Sequence, residues 1–161
     1  MNEIVDLLKK LGKSISFMES CTGGALANSI TNVEGASEVI KFSAVTYSNE
    51  YKIKMGVSKA VIDEFSVYSF ETAREMSKNI SNFSNSNFGV GITGKINRVD
   101  KENPFGKDNI VYVSIYDKDR NLYFDDKIEM ICEKREDNKN LIISFIVDKL
   151  KDILTGGYYG Q

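Results

Sequence analysis

The chain has 161 residues, 42% of them hydrophobic and 27% charged, with a formal net charge of −2 and no histidine. That length and composition indicate one globular domain with its own core, which we place at residues 1–161 with a loose tail at 155–161. A slightly acidic chain lacks the broad positive field that general nucleic-acid binding needs, and a chain without histidine forms no Ser-His-Asp triad, Cys-His pair or histidine metal site.

The first half of the sequence alternates between helical and strand patterns. Apolar residues recur at helical spacing near the N-terminus, and the polar and apolar residues that follow alternate as in a strand. Asn49 is suited to cap the third helix of this half. The patterns predict helices at 2–11, 25–30, 49–55 and 59–65, and strands at 14–18 and 39–48.

The second half begins with a helix from about residue 70 to 83, preceded by Ser69 as a partial N-cap. The glycines of the strand at 88–94 suggest that another backbone or a ligand approaches closely. Residues 95–107 form a polar connection that holds the only proline, Pro104. The remaining patterns predict a hairpin of strands at 109–116 and 121–130 and an amphipathic helix at 135–154. We therefore predict an α/β domain, a three-layer sandwich in which helices flank a mixed β-sheet.

The sequence predicts a cytoplasmic protein that does not associate with membranes. No apolar run is long enough to span a bilayer, and the first residues are typical of an amphipathic helix rather than a secretory signal. Cys21 and Cys132 lie far apart and outside any CxxC pair, so we expect both to be reduced. No metal-ligand spacing or phosphate-binding glycine loop is present, and we predict neither a metal nor a cofactor.

The segment Glu19–Gly24 is the most informative part of the sequence, because it places a serine and two glycines between a strand and a helix. Ser20 is a candidate nucleophile there, and the N–H groups of Cys21 and Thr22 are candidates to bind an oxyanion or a phosphate. The alternative is a simple helix cap closed by a glycine turn, and spacing alone favours that alternative. Glu19 is more consistent with a solvated or cap-bonded carboxylate than with a general base.

Without histidine, the base that activates a hydroxyl must be a lysine, a tyrosine or a carboxylate. Lys52 and Tyr47 follow the second predicted strand, and a buried lysine of this kind deprotonates serine in some hydrolases. The spacing does not distinguish Lys52 from an ordinary surface lysine. Cys21 is a weaker candidate nucleophile than Ser20, since no histidine is available to take its proton.

The sequence resembles the CinA C-terminal domain family, the nicotinamide-nucleotide amidohydrolases. The similarity lies in Met18–Gly24 (MESCTGG), Thr31–Ser37 (TNVEGAS), Val45–Lys52 (VTYSNEYK), Glu71–Met76 (ETAREM) and Gly91–Gly94 (GITG). These segments follow one another in the order and spacing of the family, and together they extend the similarity over roughly residues 3–155. The combination of ESCTGG with YSN-x-x-K is specific, whereas either segment alone is not.

The resemblance implies the three-layer fold and hydrolysis of the carboxamide of nicotinamide mononucleotide, a small-molecule nucleotide, to nicotinic acid mononucleotide and ammonia. It implies Ser20 as the nucleophile and Lys52 with Tyr47 as the groups that manage the proton. It further implies a homo-oligomer without nucleic-acid or membrane partners. The residues that it assigns to the oxyanion and the substrate are Cys21, Thr22, Gly23, Gly24, Thr93 and Gly94.

The sequence departs from the family pattern after Gly94, where a Gly/Pro-rich loop is replaced by Lys95–Asp100 (KINRVD). Phe42-Ser43 also stands where relatives often have two glycines, and Ser66–Ser69 (SVYS) stands in place of GAVS. The nucleophile segment is thus retained while the predicted substrate-facing loops differ. The alternative function is a divergent member that binds a nucleotide without turnover or acts on another small amide.

Overall fold

The computed structural model describes residues 1–98, 101–102 and 107–158 of the chain. Its helices are α1 (Asn2–Leu11), α2 (Ala25–Thr31), α3 (Asn49–Lys54), α4 (Lys59–Phe65), α5 (Phe70–Ser84) and α6 (Arg135–Leu154). Its strands are β1 (Ile15–Glu19), β2 (Ile40–Val45), β3 (Phe88–Gly94), β4 (Ile110–Asp117) and β5 (Leu122–Glu129). A short 3-10 helix, Ala36–Glu38, precedes β2.

The five strands form one mixed sheet in the order β2-β1-β3-β4-β5. Strand β1 pairs in parallel with β2 and β3, and β4 pairs antiparallel with both β3 and β5. Because β1, β2 and β3 run in the same direction, their carboxyl ends meet at one edge, which is where α/β sheets bind ligands. The residues that follow β1, β2 and β3 therefore converge at that edge.

Helices cover both faces of the sheet and produce the predicted three-layer sandwich. One face packs against α1, α2 and α6 through side chains such as Phe17, Val90 and Ile146. The other face packs against α4 and α5, with Met18, Met76 and Ile80 in a smaller core. The predicted fold class is confirmed, and each predicted helix and strand is present with small changes at its ends. No helix of the described residues is long and apolar enough to cross a membrane.

The glycines of β3 allow α5 to lie directly on the sheet. A Cβ atom on Gly91 would overlap the carbonyl oxygen of Ala73 and would come within 2.7 Å of the Ser77 nitrogen. A Cβ on Gly89 would overlap the carbonyl oxygen of Ser77. The predicted close approach of another backbone is therefore found at both positions.

Gly91→Ala is expected to lower the free energy of unfolding by about 1–3 kcal/mol, because the added methyl group forces α5 away from the sheet. In an open strand the same change would stabilise the protein by about 0.5–1 kcal/mol, since glycine loses more backbone entropy than alanine. The sign of the change, measured by urea unfolding, decides between these cases. A stabilised variant would contradict the packing described here.

The ends of the elements differ from the predicted ones at three places. Strand β2 ends at Val45 rather than at residue 48, because Thr46 N makes a last hydrogen bond to Glu19 O and the chain then turns away. Helix α3 is capped by Ser48, whose Oγ accepts from Tyr51 N, and not by the predicted Asn49. In the predicted tail, Tyr158 packs on Phe124 with ring centroids 5.3 Å apart. Residues 159–161 and the predicted loop residue Pro104 lie outside the described residues.

Candidate active site

Ser20 follows β1 directly and lies at the edge where the parallel strands end. Its side chain is 7% exposed and lines a cleft of about 800 Å³. The turn after Ser20 needs glycine, because Gly23 and Gly24 have φ values of +61° and +95°, which disfavour other residues. The Gly23 N–H closes this turn by donating to the Ser20 carbonyl at 3.0 Å.

Glu19 stabilises the turn from below rather than facing the cleft. Its buried carboxylate accepts from the Thr22 hydroxyl at 2.7 Å and from the N–H groups of Leu26 and Ala27, both at 3.0 Å. These are N–H groups of the first turn of α2, which lack partners within the helix. The cap-bonded interpretation of Glu19 is confirmed, and its hydrogen bonds hold Ser20 in place at the start of the turn.

Lys52 reaches Ser20 from α3, on the opposite side of the cleft. Its Nζ lies 3.0 Å from Ser20 Oγ and donates to the Thr46 carbonyl at 2.7 Å. The residue is only 2% exposed, so it is not the surface lysine that its spacing also allowed. The contact joins residues 32 positions apart, which explains why local spacing did not single out Lys52.

Tyr47 lies at the mouth of the cleft, with 65% of its surface exposed. In the described part of the chain, its hydroxyl makes no hydrogen bond to Ser20 or Lys52. The structure thus brings two of the three predicted catalytic residues into direct contact, and it places the third on the rim. A role for Tyr47 in handling the proton stays a prediction.

Of the six residues predicted to contact the oxyanion or the substrate, only Cys21 and Gly94 line the cleft. The Thr93 side chain is buried and donates to the Val67 carbonyl at 2.8 Å, so it supports the loop behind the cleft. Within the described residues, the N–H groups of Cys21 and Thr22 donate to no protein acceptor. Their position beside Ser20 leaves them available to an incoming oxygen.

Burial raises the pKa of the Cys21 thiol from 9.0 to about 12, and the nearby Lys52 cation only partly opposes this shift. A thiol with this pKa stays protonated at neutral pH. Since the thiolate is the nucleophile, Cys21 is a poor alternative to Ser20 in spite of its place in the cleft.

Iodoacetamide at about pH 8 is expected to alkylate Cys132 and to leave Cys21 unmodified in the folded protein. A pKa of about 12 leaves only about 10⁻⁴ of the Cys21 thiol ionised at that pH. The test compares Cys132→Ser, which retains Cys21 alone, with Cys21→Ser by mass spectrometry. Unfolding in urea should make Cys21 react, and rapid labelling of folded Cys132→Ser would contradict its burial.

The lining of the cleft is strongly cationic although the chain as a whole is acidic. Among the described lining residues, five cations (Lys52, Lys95, Arg98, Lys101 and Arg135) face two carboxylates, Glu50 and Glu102. Sequence analysis identified only Lys52 among these cations as a site residue. Within the described residues, no group of three or more cysteine or acidic side chains is placed to hold a metal ion.

An asparagine pair fixes the segment after β3 against the start of α6. Asn138 is fully buried, and its Nδ2 donates to Asn97 Oδ1 at 2.7 Å and to the Cys132 carbonyl at 2.9 Å. Next to this pair, a guanidinium N–H of Arg135 donates to the Ile96 carbonyl. The pair therefore holds Arg135 at the wall of the cleft.

Comparison with known proteins agrees with the fold and the order of the motifs. The family model of the CinA C-terminal domain matches residues 1–154. The CinA-like protein of Kosmotoga olearia is 40% identical over 116 residues, which are 70% of this chain and 27% of that protein. The CinA-like protein of Fervidobacterium nodosum is 43% identical over 96 residues, 58% of this chain and 24% of that protein. The chain thus spans about a quarter of the length of these relatives.

Solved structures share the architecture over nearly the whole chain. The competence/damage inducible protein CihA from Agrobacterium tumefaciens superposes with a TM-score of 0.80 at 25% identity, covering 95% of this chain and 90% of that one. A CinA superfamily protein from Klebsiella pneumoniae gives a TM-score of 0.85 at 20% identity, covering 96% and 94%. At these identities the likeness establishes the fold.

Proposed function

Because the chain belongs to the CinA C-terminal domain family, we propose that it is an amidohydrolase that converts nicotinamide mononucleotide and water to nicotinic acid mononucleotide and ammonia. The observation that supports this function most directly is the buried contact of 3.0 Å between Lys52 Nζ and Ser20 Oγ. A serine paired with a buried lysine is a nucleophile and base combination that needs no histidine. The absence of histidine from the chain leaves this pair as the best-placed catalytic group.

In the first step, Ser20 Oγ attacks the carboxamide carbon and Lys52 accepts the hydroxyl proton. This step requires Lys52 as the neutral amine, whose lone pair faces Ser20 while one N–H donates to the Thr46 carbonyl. Burial favours that form, because taking an ammonium group out of water is costly. The N–H groups of Cys21 and Thr22 are the proposed donors to the oxyanion.

In the second step, the tetrahedral intermediate collapses and its C–N bond breaks. Lys52 returns the proton to the leaving nitrogen, which departs as ammonia and leaves an acyl ester on Ser20. Water then adds to the ester carbonyl as Lys52 takes its proton. The C–Oγ bond breaks, Ser20 recovers the proton, and the carboxylic acid is released.

The experiment that tests this function measures ammonia from the purified chain supplied with nicotinamide mononucleotide, together with the acid product by mass spectrometry. The proposal expects equal amounts of both products and no free nicotinamide. Release of nicotinamide with ribose 5-phosphate would mean cleavage of the glycosidic bond and would overturn the proposal. Lack of any product above a protein-free blank would overturn it as well.

The charged residues at the start of the loop after Gly94 favour a second candidate, the same chemistry on a different anionic amide. Lys95 and Arg98 line the cleft beside Gly94 and make it more basic. A panel of phosphorylated and unphosphorylated amides, assayed for ammonia, distinguishes the two substrates. The non-catalytic alternative predicts binding of nicotinamide mononucleotide by calorimetry with no ammonia from any amide.

Assembly and location stay predictions. Strand β2 is the edge of the sheet and exposes 38% of Phe42 and 50% of Val45, which is consistent with the expected homo-oligomer. Sedimentation of the purified chain measures that state directly. The expected cytoplasmic location rests on the sequence alone.

A further inference from the structure

The cations of the cleft are concentrated on the side where β3 ends. Lys95 follows Gly94 directly, and Arg98 and Lys101 lie a few residues further along the chain. Cations that line a cleft raise the local concentration of anions, because the low-dielectric walls focus their field. The proposed reaction at the amide needs Lys52 only, so this second group of cations has no part in the chemistry derived above.

Lys95 is the most deeply buried of these cations. Its side chain is 1% exposed, and its Nζ lies 3.3 Å from Asp108 Oδ1 and 5.1 Å from the centre of the Tyr68 ring. Asp108, in contrast, is 50% exposed. A half-exposed carboxylate returns to water at little cost, whereas the buried ammonium cannot follow it and needs another anion.

Arg135 lies next to Lys95 in the fold although the two are 40 positions apart in sequence. Its guanidinium donates to the carbonyl of Ile96, the residue after Lys95, and it lines the same cleft. A single N–H of the guanidinium is used by Ile96, and a planar guanidinium has five donors. Lys95 and Arg135 thus present two cations to one region of the cleft wall.

We infer that Lys95 and Arg135 bind a phosphomonoester on the substrate, and that the ester displaces Asp108 from Lys95 when it enters. A phosphomonoester carries a charge of about −1.5 to −2 near pH 7, so it competes effectively with one carboxylate for the buried ammonium. Arginine adds directional hydrogen bonds to the phosphate oxygens. This inference rests on the proposed function in one respect, because it assigns the phosphorylated end of the same substrate.

The positions of the strands set the direction in which the substrate lies. Strands β1 and β3 are neighbours that run parallel, with Met18 opposite Gly91, so their carboxyl ends are about 4.8 Å apart. The reacting amide lies at Ser20 after β1, and the phosphate lies beyond β3 at Lys95. The substrate accordingly extends across the ends of β1 and β3, away from Lys52.

Binding to the inactive Ser20→Ala variant, measured by calorimetry, tests the subsite without turnover. Nicotinamide mononucleotide is expected to bind about 10- to 100-fold more tightly than nicotinamide riboside, which lacks the phosphate. Adding Lys95→Met should remove most of this preference, and adding Lys95→Arg should restore part of it. A preference that persists in full with Lys95→Met would overturn the inference.

Asp108→Asn, also in the Ser20→Ala background, is the sharper variant because it changes a half-exposed residue and has the opposite expected sign. It removes the competing carboxylate and should increase affinity for nicotinamide mononucleotide about 2- to 10-fold, with no effect on the riboside. Lys59→Met, on the exposed face of α4 outside the cleft, is the matched control and should change neither affinity. Weaker binding of nicotinamide mononucleotide by Asp108→Asn would contradict displacement.

Failure of the subsite and failure of the proposed function give different results. If the phosphate preference depends on Lys95 but no amide releases ammonia, the subsite stands and the amidohydrolase proposal fails. If wild type releases ammonia equally well from nicotinamide mononucleotide and nicotinamide riboside, and Lys95→Met does the same, the amidohydrolase stands and the subsite fails. Thermal unfolding of each variant confirms that it is folded.

Discussion

Replacing Ser20 with alanine is expected to lower kcat/KM for nicotinamide mononucleotide by at least about 10³-fold, because the change removes the atom that forms the acyl ester. The lost hydroxyl takes part in no other described hydrogen bond besides that with Lys52 Nζ. Stability should therefore change little. The cleft keeps its shape and cations, so substrate binding should persist.

The matched control for this loss is Ser29→Ala, on α2. Ser29 Oγ donates to the Leu26 carbonyl at 2.8 Å and lies outside the cleft, so its removal should leave kcat/KM nearly unchanged. Initial rates of ammonia release give both values. A Ser20→Ala variant within tenfold of wild type would rule out the serine nucleophile.

Replacing Lys52 with methionine is expected to lower kcat by about 10²- to 10⁴-fold, the usual contribution of a general base. Methionine has a similar length and removes only the amine. Lys52→Arg should be equally impaired, because a guanidinium stays charged and cannot accept the serine proton. A purely electrostatic role would instead let Lys52→Arg retain much of the activity, so comparison of the two variants separates base from cation.

Lys54→Met provides the matched control, since Lys54 is on the same helix but is exposed and paired with Glu50. It should retain full activity. Because Lys52 also donates to Thr46, its loss leaves a carbonyl unpaired, and stability should fall by about 1–3 kcal/mol. Activity of each variant must therefore be measured below its unfolding temperature. Equal activity of Lys52→Met and wild type would contradict the mechanism.

Local patterns in the sequence predict most of the fold, because each helix and strand has its own periodicity. The same patterns locate the Ser20 turn, since Gly23 and Gly24 are needed for its backbone. They do not identify Lys52 as its partner, because that contact depends on how α3 folds back over the end of β1. The family resemblance supplied the pairing, and the 3.0 Å contact agrees with it.

The cationic wall of the cleft was the feature that sequence reasoning missed. Lys95 and Arg135 are separated by 40 residues, and each looks like an ordinary charged residue in a polar segment. They meet because β3 ends beside the start of α6, an arrangement that Asn97 and Asn138 fix. The only available signal was the replacement of a glycine-rich loop by charged residues, which the sequence alone could not distinguish from an obstruction.

The measurement that tests the central claim most directly is the fate of solvent oxygen in a reaction run in water enriched with heavy oxygen. If Ser20 and Lys52 hydrolyse the carboxamide, wild type should yield ammonia and an acid product that carries one heavy oxygen in its new carboxylate. Ser20→Ala should yield neither. An unlabelled product, nicotinamide as the product, or equal labelling by Ser20→Ala would contradict the mechanism.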